Sequence, residues 1–296
     1  VVLRYMRQLG ERVPNNTDKL FVVNRQDQYL GTLSLAALVT NDSSEIVAEV
    51  MSLNVQPINA TIQDSEVARQ FEQYDLISAP VVDDEGRLLG RITIDDIVDV
   101  IREEGEHQFM SQAGLSEDED MFAPVVISAR KRAVWLGVNL LTALMASWVI
   151  GLFEATIDKV VALAVLMPIV ASMGGIAGSQ TLTLTIRGIA LGQLSASNTR
   201  WLIIKEFAVG AINSMIWAIV VAGIAALWFG DPKLALLIAV AMSINLIVAA
   251  ATGTMLPILL NRLGIDPALA GSVLLTTVTD IVGFFAFLGL ATVFLL

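Results

Sequence analysis

The sequence predicts an α/β soluble module joined by an acidic helix to an all-α membrane domain of five helices. Three observations predict it. The charges are split: residues 1–129 carry 9 Lys and Arg against 23 Asp and Glu, and residues 130–296 carry 9 against 6. Five long apolar segments follow Arg130 in a chain that is 55% hydrophobic and 16% charged, with a mean hydropathy of +0.70. Soluble domains carry about 25% charged residues. A motif in the first hundred residues also recurs at a fixed offset of 59 residues. Together these mark an acidic soluble part followed by a membrane part.

Composition excludes several function classes. The chain has no Cys, so disulfides, zinc–thiolate sites and cysteine nucleophiles are ruled out. Its one histidine, His107, rules out a histidine-rich metal site within one subunit. An acidic surface repels phosphates, so no nucleic-acid partner is expected. Residues 1–20 are charged and lack an apolar stretch, so no secretory signal is expected there.

The repeat organises residues 1–102. Val22–Leu35, VVNRQDQYLGTLSL, aligns without gaps on Val81–Ile94, VVDDEGRLLGRITI. Each copy reads strand, polar turn, strand, then a helix from near Ala36 or Asp95. A further helix is expected over about Asp64–Tyr74. This pattern resembles a pair of CBS domains over residues 18–102. The resemblance implies an α/β module of a kind that senses nucleotides. Its ribose-binding pattern, Thr/Ser-x-x-Asp, is met by Thr93 and Asp96, whereas in the first copy Ser34 is followed by Ala37. ATP or another adenine nucleotide is therefore an expectation at Thr93 and Asp96. On the residues alone, Asp96 is equally an acid placed at a helix start.

Residues 103–129 are expected to form the acidic connecting helix and linker. Asp95, Asp96, Asp99, Glu103, Glu104, Glu106, Glu117, Asp118, Glu119 and Asp120 are opposed only by Arg102. The spacing Asp96-Asp99-Glu103 stacks like charges on one helix face, where they repel. A solvated face and a cation-sensing surface both fit this run.

The apolar segments lie near 133–153, 160–186, 207–229, 234–260 and 271–296. Each reaches the roughly 20 residues a bilayer-spanning helix needs. With the acidic part inside the cell, the inner flanks hold Arg130, Lys131, Arg132, Arg187, Arg200, Lys205 and Arg262. The outer flanks hold only Lys159 and Lys233. The positive-inside rule therefore puts the N-terminal part in the cytoplasm and the C-terminus outside, in a multi-pass plasma-membrane protein.

Asp280 falls within the last segment, with Thr276 and Thr277 one turn before it on the same face. An acid at that depth costs about 2.5–3.5 kcal/mol on insertion scales and characteristically lines a polar cavity. A hydrogen bond to a neighbouring helix is the alternative. In the second segment, Pro168 precedes a run of small and polar residues that includes Gly174, Gly175, Gly178, Ser179 and Gln180. Gly174 and Gly178 form a GxxxG pair suited to close helix packing. The same run would allow a broken helix with free carbonyls along a cavity. One acid is a poor cation site, but a two-fold dimer would oppose two copies of Asp280. Carboxylate, threonine and water oxygens then suit a hydrated divalent cation.

In this order, the parts resemble the MgtE family of magnesium channels and transporters, without that family's N-terminal domain. The carrying residues are Pro168 through Gly175-Ile176-Ala177-Gly178-Ser179-Gln180, Arg187-Gly188, Pro257, Asp266-Pro267-Ala268, and Thr-x-x-Asp280 followed by Gly283. The resemblance implies a homodimer with an intersubunit pore lined by Gly174, Gly175, Gly178, Ser179, Gln180, Ser272 and Thr277. Asp280 and the Thr276 carbonyl would be its Mg2+ ligands. It further implies that cytoplasmic Mg2+ binds Asp75, Asp95, Asp96, Asp99 and Glu104 and closes the pore. The family usually has Asn where Ile176 stands, often also at Ser179 and Ser272, and acids near His107 and Gln108. Fewer amide oxygens and a weaker or pH-dependent sensor are expected here.

The expected activity is Mg2+ entry under feedback by cytoplasmic Mg2+, with no enzymatic reaction. The rivals are a nucleotide-regulated, proton-coupled carrier or exporter of Co2+, Mn2+ or Mg2+, an intramembrane aspartyl protease, and a membrane-tethered nucleotide sensor.

Overall fold

The computed structural model describes residues 1–296 apart from 15, 16, 43, 116–118 and 196. Glu117 and Asp118 of the acidic run thus lie outside the described residues. Two compact units divide the chain at residues 106 and 107.

The first unit opens with helix α1 (Val2–Leu9). Strands β1 (Lys19–Val23) and β2 (Tyr29–Ser34) form an antiparallel hairpin, followed by short helices α2 (Leu35–Thr40) and α3 (Val47–Val50). Strand β3 (Ile58–Asn59) and helix α4 (Asp64–Gln73) lead to the second hairpin, β4 (Ser78–Val82) and β5 (Leu88–Thr93). β3 pairs in parallel with β4, giving a three-stranded sheet β3-β4-β5. Helix α5 (Ile94–Gln112) follows without a break.

The repeat survives as geometry at the 59-residue offset. Lys19 pairs with Ser34 as Ser78 pairs with Thr93, and both hairpins shift register after Val22 and Val81. Each turn closes on one side-chain oxygen. Asn24 Oδ1 accepts from the backbone N–H of Gln26 and Gln28, and Asp83 Oδ1 accepts from Glu85 and Arg87. Asp27 and Gly86 occupy the equivalent left-handed positions, φ 61° and 78°. Short polar residues and glycine tolerate that conformation best. The two turns also exchange backbone bonds, Tyr29 N–H to Gly86 O and Leu88 N–H to Asp27 O. Two-fold pseudo-symmetry requires such an exchange.

The core of this unit is small: Ile58, Val67, Ala68, Phe71, Ala79 and Ile97. Val67, Ala68 and Phe71 share one face of α4, as the helical period demands. Beside it, buried Ser78 donates to Asp18 at 2.6 Å, and Lys19 lies 3.3 Å from the same carboxylate. Burial would push the Asp18 carboxyl up, but the Ser78 hydrogen bond and the Lys19 charge hold it below its ordinary value.

The acidic helix expected over residues 103–129 is therefore α5, which starts earlier. Its regular structure stops at Gln112, and no helix occurs among the described residues from there to Val125. Gly114 explains the stop, with φ 71° and a Cβ position already filled by the Trp135 indole.

The second unit holds α6 (Val125–Gly151), the short α7 (Glu154–Lys159), α8 (Ala162–Ala190), α9 (Thr199–Phe229), α10 (Pro232–Arg262) and α11 (Pro267–Leu295). The five long helices have 27 to 31 residues each. At 1.5 Å per residue each measures roughly 40 Å or more, beyond the ~30 Å of hydrocarbon. Every span runs longer than the apolar segment that announced it. The two Asp-Pro pairs explain two of the starts: Asp231 accepts from Lys233 N–H and Asp266 from Ala268 N–H, with proline at the first helical position. α8 is continuous through Pro168, so the broken helix is not formed.

α10 is the central helix, with over half of its apolar window buried against 11% for α6. Its Ile238, Ala241, Met242 and Leu246 pack with Leu163 and Leu166 of α8 and with Phe287 and Leu288 of α11. Glycines set the closest approaches. A Cβ on Gly253 would lie 2.7 Å from the Gly178 carbonyl, and one on Gly210 would lie 2.6 Å from Ala250.

Replacing Ser78 with Ala should cost about 1–2 kcal/mol of stability in the first unit, since it removes a donor to a charged acceptor. Because the folded Asp18 is the more acidic, its contribution is present above the unfolded pKa near 4 and fades as pH falls through the folded value. Hydrogen exchange of β1 and β4 in the full chain checks both, and Ser78→Ala should flatten that pH dependence.

Candidate cation site

Side chains of α8 and α11 line an open groove of about 980 Å³. From α8 come Ser172, Gly175, Ile176, Ser179, Gln180 and Thr183, a stripe stepped by three and four residues. α11 supplies Thr276 and Asp280, one turn apart. Asp280 is half-buried and has no ion pair among the described residues.

The hydroxyls beside it are already committed as donors. Ser179 donates to the Gly175 carbonyl at 2.8 Å and Thr276 to the Ser272 carbonyl at 2.9 Å. Their oxygen lone pairs remain as acceptors. A carboxylate among acceptor oxygens receives what presents protons or positive charge, and a hydrated cation does both. The Thr276 carbonyl is itself approached by the Thr279 hydroxyl at 3.1 Å.

Gly175, Ser179, Gln180, Thr276 and Asp280 thus come together as expected, and four others do not. Gly174 and Gly178 are buried on the opposite side of α8, where missing Cβ atoms admit Asn245 and Leu275. Thr277 is half-buried and donates to the Val273 carbonyl at 2.7 Å, and Ser272 is likewise absent from the lining. Ser172 and Thr183 lie on the stripe one turn to either side, and helical spacing from Ile176 and Ser179 was the signal for them.

Sequence reasoning missed Glu206. It is 3% exposed on α9, with Lys205 at 2.7 Å and the Thr181 hydroxyl donating at 3.4 Å. It borders a cavity of about 100 Å³ that also touches Gln180, so Gln180 lies between the two carboxylates. Glu206 fell in a flank because α9 begins eight residues before the apolar run.

The expected sensing residues do not converge. Asp75 follows α4 in a left-handed conformation, φ 49°. Asp96 accepts from the Thr93 N–H at 3.1 Å and its hydroxyl at 3.0 Å, so the expected ribose pair closes on itself as a helix cap. A hydrogen bond from Thr93 also holds the Asp95 carboxyl below its ordinary value. Arg102 stands 3.9 Å from Asp99 and 3.8 Å from Glu106, and Glu104 is exposed on the same helix. Among the described residues, no three His, Asp or Glu side chains are grouped to hold a metal ion. Within the second unit, His107 meets Asp266, the residue capping α11, at 3.1 Å.

Comparison with known proteins agrees with the two-part plan. Residues 167–290 match the MgtE divalent cation transporter domain and residues 47–103 the CBS domain. The magnesium transporter MgtE of Thermus thermophilus is 33% identical over 99% of this chain, and that of Bacillus subtilis is 31% identical over all of it. The chain spans 65% and 64% of the length of these relatives. A crystal structure of the cytosolic domain of the Mg2+ channel MgtE in complex with ATP is 37% identical, covering 33% of this chain and 40% of its own, with a TM-score of 0.32. With a divalent cation transporter domain in its membrane half, a CBS domain ahead of it and likeness along its whole length to named transporters rather than enzymes, this multi-pass membrane chain is similar throughout to the MgtE magnesium transporters.

Proposed function

We propose that the chain carries hydrated Mg2+ across the plasma membrane into the cytoplasm, along the groove that holds Asp280, as one half of a homodimer. The observation that carries this reading is a carboxylate with no ion pair among the described residues, in the wall of a groove on membrane helices. Exposed Ser172, Ser179, Gln180, Thr183 and Thr276 would be costly against lipid. A second copy over the same face would enclose them and bring two Asp280 carboxylates to one path. Charge −2 then matches a divalent ion that keeps its waters.

Gating follows from α5. The sequence of α5 places Asp95, Asp96, Asp99, Glu103, Glu104 and Glu106 beside Arg102, so bound cytoplasmic Mg2+ would relieve like-charge repulsion along it and draw α5 toward Asp75 or toward the partner copy. Mg2+ must bind that closed state better to shift the population. Adenine nucleotide at Thr93 and Asp96 would have to open the cap these two form. A proton-coupled divalent cation carrier is the second reading, and buried Glu206 behind Gln180 favours it.

In proteoliposomes, Asp280→Ala and Asp280→Asn should abolish Mg2+ uptake while assembly is retained. Uptake unchanged in both variants removes the path assignment. Stoichiometric counterflow of protons, lost in Glu206→Gln, would replace the channel reading with the carrier one.

Asp99→Ala with Glu104→Ala should leave the pore open at internal Mg2+ concentrations that close the unmodified chain, in patch recordings. Closure at the same concentration overturns the gate.

The chain has no cysteine, so single cysteines report topology directly. Lys233→Cys should react with an impermeant thiol reagent from outside intact cells and Arg262→Cys only after permeabilisation. The reverse pattern inverts the orientation.

A further inference from the structure

Asn245 lies midway along α10 and is fully buried. Its Nδ2 donates to the Val170 carbonyl of α8 at 2.8 Å, while its Oδ1 is buried with no hydrogen-bond donor among the described residues. That orientation follows from the bond, because the flipped amide would set one acceptor against another. Two glycines make room for it. A Cβ on Gly174 of α8 would fall 2.2 Å from Nδ2, and a Cβ on Gly283 of α11 would fall 2.7 Å from the same atom. One flat amide is therefore gripped between the two helices that wall the groove.

Its place along them matters. Gly174 adjoins Gly175, which lines the groove, and Gly283 lies one turn from Asp280. An unpartnered buried carbonyl costs stability that an apolar side chain of similar size would not. Packing alone therefore gives no reason for an amide here.

We infer that Asn245 is a positioning residue that sets the separation of the Asp280 groove walls and thereby its discrimination among hydrated divalent cations. The inference rests on the groove being the cation path. The Val170 bond holds α8 in register, and the amide between two glycines spaces α8 from α11. Ser179 on one wall and Asp280 with Thr276 on the other then reach a single hydration shell.

The test combines a stability cycle with flux. Gly174→Ala should destabilise the full chain in detergent, and Asn245→Ala should relieve that loss in the double variant, because it empties the space the new methyl needs. Asn245→Ala alone should lower Mg2+ over Ca2+ discrimination by about tenfold, as losing the support behind a metal site does. Asn245→Asp gives the decisive profile. Its protonated carboxyl can donate to Val170 and its ionised form cannot, so selectivity should survive at low pH and fail at high pH. The unmodified chain and Asn245→Ala should lack that dependence. Independent stability losses overturn the clamp geometry. A coupled cycle with unchanged selectivity and no new pH dependence overturns the positioning role. Flux insensitive to Asp280→Ala overturns the cation path itself, and the inference with it.

Discussion

Hydrocarbon offers polar atoms no hydrogen bond, and the membrane unit is organised around that constraint. Most of its hydroxyls satisfy themselves on their own helix. Thr185, Ser243, Thr254, Thr276 and Thr277 each donate to the carbonyl four residues earlier. Polar side chains folded back in this way leave the helix surface smooth enough for close packing. Glycines then bring α10 against α8 and α9 at backbone distance, where dispersion replaces the hydrophobic effect as the source of association. The exceptions are the residues on which the proposals above rest. Glu206 is neutralised by Lys205, the Asn245 oxygen lacks a donor, and Asp280 faces a groove.

The first unit solves its problem differently. Its core is too small to impose a fold through burial alone, and duplicated turn chemistry defines it. Asn24 and Asp83 each close a turn with one oxygen, Asp27 and Gly86 supply the left-handed residue, and the two copies trade backbone bonds across a pseudo-axis. Ser34 and Thr93 then start a helix in each copy, Ser34 by accepting from Ala37 N–H and Thr93 paired with Asp96. The capping acids spend their charge locally, whereas later along α5 Arg102 stands near both Asp99 and Glu106. Under the proposed gating this division is useful. Carboxylates spread along one helix cannot surround a cation, so a cation that binds them must recruit another segment, and sensing becomes movement.

Much of this was legible from residue order because it is local. The offset of 59 predicted both hairpins, and a helix over about Asp64–Tyr74, observed as Asp64–Gln73, and the five spans followed from periodicity and hydropathy. Asp280 stood out because its insertion cost is large. The side of α8 that faces the groove was harder to read. Gly174, Gly175, Gly178 and Ser179 are equally small, and only the bulk of Asn245 and Leu275 on neighbouring helices turns two of them inward. Asn245 gave no local signal, since an Asn in an apolar run acquires its role from glycines far away in sequence. Glu206 was hidden by a boundary: eight residues of α9 precede its long apolar run, and hydropathy windows discard such edges.

If ions pass as proposed, the chemistry of the groove limits how it can choose among them. The Ser179 and Thr276 hydroxyl protons are spent on backbone carbonyls, so beside the carboxylate these two offer lone pairs, Gln180 adds an amide, and Ile176, 56% exposed, offers nothing polar. Such a surface accepts hydrogen bonds from the waters around a cation but has too few ligands to replace them. Hydrated divalent ions present the same protons to the same acceptors and differ chiefly in size and in how firmly they hold their shell. Ligand identity then does little to separate them, and the distance between walls does more. Under the proposed cation path, that distance belongs to the packing behind the groove, where α10 meets both α8 and α11, and selectivity would be set by residues that never touch the ion.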